Sequence, residues 1–385
     1  MKKVLATILA LVMALGVTTA AWADDAGVAC SGENCNHAAA FNGKHYNHLV
    51  DAYAALTRGT TKPATAEVIT LLKDSSGGGI GSDAYTNMNY VIDFGGHTYT
   101  VGAPAVGSTG TVSQGLRVLQ TSTAKFMNGT LKADNYNGLA QVVHTYGDVT
   151  FENFNVDARE NSYAQIAVEP DCGTLNITGN SSILAREGMT GLYVAFWHTG
   201  TYNGTTVNVN TTGKITGKLV YEFDEDMTGD AAATENRAVL NIANGNFEIT
   251  GIQTLFSDVA NEALKEAKIE VSGGTFSTDV KEYLAEGKIL QKNGDTYTAV
   301  TNSAITSGTY TSEPTVPSGY KATKNDDGTW TVSKVSYYYY QPTTDTKTTD
   351  TKGSPKTFDA GIALYVGMAL TSAAGVAFVG KKRED

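Results

Sequence analysis

From about residue 66 to residue 277 apolar and polar positions alternate in short runs cut by Gly and Asn. Tyr90-Val91-Ile92-Asp93-Phe94 leads through Gly95-Gly96-His97 to Thr98-Tyr99-Thr100-Val101. Phe126-Met127-Asn128-Gly129-Thr130-Leu131 and Phe151-Glu152-Asn153-Phe154-Asn155-Val156 follow, then Leu175-Asn176-Ile177-Thr178-Gly179, Val207-Asn208-Val209, Phe247-Glu248-Ile249-Thr250-Gly251 and Ile269-Glu270-Val271-Ser272-Gly273-Gly274. A period of two with one apolar parity predicts half-buried strands. The units recur irregularly, often at a step of roughly one solenoid turn, in the low-to-middle twenties of residues. One such turn cannot bury its apolar face alone, whereas stacked turns line a continuous core. The pattern therefore predicts an all-β chain with a solenoid over 66-277. A pair of immunoglobulin-like sandwiches, whose strands alternate at closer spacing, is the competing reading.

The flanks of this region differ in pattern. Tyr46, Leu49, Val50, Tyr53 and Leu56 recur at helical spacing, which predicts a short amphipathic helix near 47–57, ended by Gly59, within an N-terminal cap over 24-65. Between 272 and 335 a repeat is visible. Ser272-Gly273-Gly274-Thr275-Phe276 leads to Asn293-Gly294, and Ser307-Gly308-Thr309-Tyr310 leads to Asp327-Gly328, each a strand followed by a hairpin. The first connector, Asp279 to Glu286, has a helical look. After Val335 the stretch 336-353 reads as a Thr/Asp/Lys linker, about 60 Å long if fully stretched: it opens on Tyr337-Tyr338-Tyr339-Tyr340, a sticky patch or a last edge strand, and lacks core-forming residues from Gln341 on. The order of a Cys-containing start, a helix, Val68-Ile69-Thr70-Leu71-Leu72-Lys73-Asp74 and then Ile92-Asp93-Phe94-Gly95-Gly96-His97-Thr98 resembles the opening of surface proteins with pectate-lyase-like β-helices. That resemblance implies a right-handed parallel β-helix with a helical N-terminal cap and C-terminal β repeats.

The two ends carry sorting information. Lys2 and Lys3, an apolar stretch from Val4 to Val17, and Ala21-Trp22-Ala23 before Asp24 make a signal peptide over 1-23, cleaved after Ala23. Residues 360-380 are apolar and uncharged, long enough to cross a bilayer as a transmembrane helix, and 381-385 begin with Lys381-Lys382-Arg383, which the positive-inside rule keeps cytoplasmic. Immediately upstream, 354-358 read Ser354-Pro355-Lys356-Thr357-Phe358. This arrangement resembles the sortase-processed wall anchors of Gram-positive bacteria, of the LPXTG kind. Ser354 stands at the Leu position, as in a clostridial-type variant, Pro355 at Pro, Lys356 at the variable place and Thr357 at Thr, while Phe358 replaces the usual Gly. The resemblance implies cleavage by a sortase transpeptidase after Thr357 and joining of Thr357 to peptidoglycan, with the membrane holding 360-380 until then. The expected location is the cell wall and cell surface of an exported protein.

Charge narrows the partners. Without 1-23 and 358-385 the chain keeps 23 Lys and Arg against 36 Asp and Glu, a net charge of −13. Such a surface repels phosphate backbones, so no nucleic acid is expected. Cys30 and Cys35 flank Ser31-Gly32-Glu33-Asn34; an exported chain permits a disulfide there, while His37, His45 and His48 nearby leave a metal site or free thiols as alternatives. Cys172 reads as a buried small residue.

Chemistry was sought in acidic clusters and histidines. Glu222, Asp224, Glu225 and Asp226 stand together, as do Glu169 and Asp171, but neither lies in the motifs of β-helical glycan-cleaving enzymes. His97, His144 and His198, with Trp197 beside the last, would share one face only if the coils align them. No Gly-x-Ser-x-Gly, His-Glu-x-x-His or phosphate loop occurs. The expectation is a non-catalytic surface protein displaying its β-helix for adhesion to a host or glycan ligand, with no catalytic, cofactor or metal residue assigned. The alternative is an extracellular polysaccharide lyase or hydrolase; a structural wall component without a specific ligand is a third reading.

Overall fold

A computed structural model describes residues 27, 36–81, 87–108, 110–196, 204–224, 237–257, 259, 262 and 265–336. The chain divides into two compact units, 1–335 and 336–385; everything below concerns the first. The described residues are predominantly β, 54% strand and 4% helix. The signal segment, Cys30, Cys35, the sorting motif and the apolar span 360-380 lie outside the described residues. Among the described residues no helix is long and apolar enough to cross a membrane.

Three parallel ladders organise the strands. In the first, Ile69 pairs with Ile92, Ile92 with Phe126, Phe126 with Phe151, Phe151 with Ile177, Ile177 with Val209, Val209 with Ile242 and Ile242 with Val271. In the second, Tyr99 pairs with Leu131, Leu131 with Val156, Val156 with Ile183, Ile183 with Ile215, Ile215 with Phe247 and Phe247 with Phe276. The third runs from Leu116 to Val143, Val168, Leu192, Leu219 and Ile252. The residues named in each ladder are almost all buried and belong to one core cluster. Alternation explains this directly: successive side chains on a strand point to opposite faces, so one parity of every strand enters the same interior.

The corner between the first two ladders explains the recurring Asn and Gly. Asn128 and Asn153 sit at φ 57 and φ 53, and Gly179 continues the column at φ 66. Asn tolerates this left-handed conformation better than other residues with a side chain. Glycine at 179 has a second reason: an added Cβ would stand 2.2 Å from Asn153 Oδ1. In the core aromatic rings meet edge to face from the helix down the first ladder, with Tyr53–Tyr90 at 5.6 Å, Tyr90–Phe126 at 6.0 Å and Phe126–Phe151 at 6.1 Å between centroids.

Both ends of the described stack switch to antiparallel pairing. At the N-terminal end Ala39–Phe41 pairs antiparallel with Glu67–Leu71 and with Lys44–Tyr46, and the helix Leu49–Ala54 buries Leu49, Ala52 and Tyr53. The helix is shorter than its periodicity predicts, because Tyr46 belongs to a strand and the chain leaves the helix at Ala55, before Gly59. Arg58 caps the end: its guanidinium donates to the carbonyl of Leu56 at 3.0 Å and to that of Tyr53 at 2.8 Å, the latter also accepting the Leu56 N–H at 3.2 Å. At the other end Thr275–Phe276 pairs with Thr296–Thr301, which forms a hairpin with Lys288–Asn293; Gly308–Tyr310 pairs with Trp330–Lys334, which forms a hairpin with Tyr320–Lys324. The helical-looking connector closes to a single turn of 3-10 helix, Lys281–Tyr283.

Candidate functional site

The outward parity of the third ladder carries an unusual row. Leu116, Val143 and Val168 point to the core, so Arg117, His144 and Glu169 occupy the opposite face, and register pairs Arg117 with His144 and His144 with Glu169. On most sheet faces such residues are wet. Here Arg117 is 8% exposed, His144 5% and Asp171 6%. Glu169 keeps part of its side chain at solvent, yet its Oε2 is fully buried.

The row is cross-linked by a repeated offset: each side chain reaches a residue on the next strand of the ladder, two positions past its register partner. His144 Nε2 and Asp171 Oδ2 are 2.6 Å apart, the Arg117 guanidinium lies over the Tyr146 ring at 5.7 Å, and the Tyr193 hydroxyl donates to Glu222 Oε2. Ser257 Oγ donates to Glu222 Oε1 at 2.7 Å. The Tyr146 ring also packs against His144, with centroids 4.5 Å apart. Arg117 Nη2 donates to Ser108 Oγ at 2.7 Å, in the segment that folds back through the Val106–Gln114 bridge.

Electrostatics set the protonation states. Burial pushes the Glu169 carboxyl up to about 7, and the Asp171 charge pushes the same way against His144 and a hydrogen bond from Gln141. Burial pulls His144 down, but the hydrogen bond and charge of Asp171, with Glu169, outweigh it and leave the imidazole above its ordinary value. Both shifts favour the protonated forms of Glu169 and His144.

The structure brings together some of the candidate residues and separates others. Glu169, Asp171 and His144 meet, and Glu222 lies further along the same face. Asp224 ends its strand; Glu225, Asp226, Trp197 and His198 lie outside the described residues. His97 does not share the row: it sits between Asn89–Asp93 and Thr98–Val101, 3.5 Å from the exposed Asp74. Cys172 is buried. Sequence reasoning missed Arg117, Tyr193 and Ser257. The available signal was Arg117 itself, a lone charge inside Gly115-Leu116-Arg117-Val118-Leu119. Among the described residues no group of three or more His, Cys, Asp or Glu is placed to hold a metal ion. Compared with known protein families, curated proteins and solved structures, the chain matches none.

Proposed function

We propose that this is an exported, wall-anchored surface protein whose ectodomain, a right-handed parallel β-helix, is displayed for adhesion or interaction. The observation that supports it is the parallel pairing carried from strand to strand along three ladders, with local register shifts, and antiparallel strands at each end among the described residues. Stacked parallel strands present an extended sheet surface without needing a catalytic centre, and in this reading Ser354-Pro355-Lys356-Thr357-Phe358 supplies the attachment point. The partners in this reading are a sortase, peptidoglycan at Thr357, and a host or glycan ligand.

Two experiments test it. Mass spectrometry of enzymatically released cell wall should find a peptide ending at Thr357 linked to a peptidoglycan fragment, and Pro355→Ala should leave the chain in the membrane fraction. Recovery of the unprocessed C-terminus from wild-type envelopes would remove the sorting part of the proposal. The mature protein should bind on a glycan and host-glycoprotein array without generating reducing ends or unsaturated products.

A second reading, a polysaccharide lyase or hydrolase, is favoured by one specific observation: Glu169, Asp171 and Glu222 converge with His144 on one parallel face. A carboxyl held protonated close to other carboxyls is the kind of arrangement that separates acid and base roles. Product release in the same assays would establish it and displace the non-catalytic reading.

A further inference from the structure

We propose that Arg117, His144 and Glu169 form a binding site for a singly charged carboxylate on the outer face of the third ladder. The argument begins with atoms that have no partner. Arg117 Nε and Nη1, His144 Nδ1 and Glu169 Oε2 are all buried and make no hydrogen bond. Buried polar atoms are nearly always satisfied by protein, water or ligand, so four in one register row need an occupant.

The chemistry of the row specifies that occupant. Arg117 offers only donors. With Nε2 engaged by Asp171, an imidazolium at His144 presents Nδ1–H, and a protonated Glu169 presents O–H. The row is therefore rich in donors and short of acceptors. Its charge is also defined: the His144–Asp171 pair cancels, Glu169 is neutral when protonated, and no carboxylate forms an ion pair with Arg117 among the described residues. Glu222, further along, is already engaged by Tyr193 and Ser257. One positive charge remains, which matches a carboxylate and not a dianionic phosphate. Glu169, mostly buried but touching solvent while its Oε2 is fully buried, is the side through which a ligand would reach the row.

A pH signature follows. The groups facing Glu169 are Asp171 on its own segment, His144 and Gln141 from the strand before it, and Glu222 from a strand beyond. Ionisation of Glu169 removes a donor and places a negative charge against the incoming carboxylate, so binding weakens as pH rises through neutrality.

The test titrates the intact chain with acetate, followed by NMR of the His144 ring and by calorimetry. Acetate should bind saturably at pH 6 and about tenfold more weakly at pH 8, the loss of roughly one charge-assisted hydrogen bond. Glu169→Gln should lose less acetate affinity between pH 6 and pH 8 than wild type does, the remaining loss being that of the His144 Nδ1–H, and Arg117→Met should lose tenfold or more at pH 6. Lys125→Met, on the first-ladder face, should change nothing. Sulfate, a dianion throughout this range, should bind less well than acetate. A sulfate preference, a pH-independent affinity, or no saturable acetate effect on wild type would overturn the proposal, the last meaning that water alone fills the row. Should Arg117→Met fail to fold, the pH profile of wild type against Glu169→Gln still decides. The site rests on the row's geometry and not on wall anchoring or display, so its failure leaves that reading standing.

Discussion

The outer faces of the first and third ladders are built alike and behave differently. On the first, register pairs Lys125 with Thr150, and Lys125 reaches Glu152, two residues further on, at 2.8 Å. On the third, register pairs His144 with Glu169, and His144 reaches Asp171, two residues further on, at 2.6 Å. The side chains of the first pair are 33% and 39% exposed, those of the second 7% and 8%. A shared diagonal thus joins opposite charges in two dielectric settings. On the wet face water solvates whatever the pair does not satisfy; on the dry face nothing does, and protonation and ligand binding become the available outlets.

The largest effect expected from this contrast is at Asp171. Asp171→Ala leaves a buried imidazole with neither nitrogen satisfied and should destabilise by about 3–5 kcal/mol in denaturant unfolding. Replacing both partners with apolar residues, as in a His144→Leu and Asp171→Leu double variant, should cost clearly less than Asp171→Ala alone. A double variant as unstable as the single would mean that packing at this point, and not an orphaned polar group, sets the cost.

The pH dependence comes next. Glu169, raised from 4.5 to about 7, holds its proton more tightly folded than unfolded. Its contribution to stability is complete below about 4.5 and is lost as pH climbs through about 7. His144 is also raised, so its contribution is complete below 6.5 and lost above it. Both tilt the same way, and unfolding free energy should fall between pH 5 and pH 8, by on the order of 2 kcal/mol. Glu169→Gln should flatten the lower half of that fall and leave the His144 part. A stability that rises across this window would contradict the assigned burial of both groups.

The same contrast governs what could be read from the chain. Strands with one wet face announced themselves: Phe151-Glu152-Asn153-Phe154-Asn155-Val156 alternates in sequence and in burial. The third ladder was silent because water reaches little of either face. All five residues of Gln114–Val118 are buried, and Gln141–Thr145 and Ile166–Pro170 show pairs of adjacent buried residues, so the period of two disappears. The site was half legible for the same reason. Glu169, Asp171, Glu222 and His144 stood out as ionisable groups, but their meeting depends on register between coils of unequal length, which no fixed spacing encodes. Arg117 joined them through a strand that could not be recognised.

An intermediate effect should appear at the Asn column of the first ladder. Asn208 donates to Asn176 Oδ1 at 2.9 Å and accepts from Asn241 Nδ2 at 2.9 Å. These groups are half-buried, so Asn208→Ala should cost about 1–2 kcal/mol for two lost hydrogen bonds, and Asn241→Ala about half of that. Equal costs at the two positions would show that the column does not act bond by bond.

The smallest effect should be at Lys125. The ion pair with Glu152 is partly exposed, and such pairs contribute at most about 1 kcal/mol and weaken with salt. Lys125→Met keeps the apolar stem against the sheet and should shift unfolding by under about 1 kcal/mol, with the difference from wild type shrinking as ionic strength rises. The value of this variant lies in its geometric match to the His144–Asp171 diagonal. Because offset and distance nearly coincide, a small and salt-sensitive cost at Lys125 beside a large and salt-insensitive one at Asp171 assigns the difference to burial. Similar costs at both would mean that the offset itself carries the energy, and that the dry row is not electrostatically distinct from the wet one.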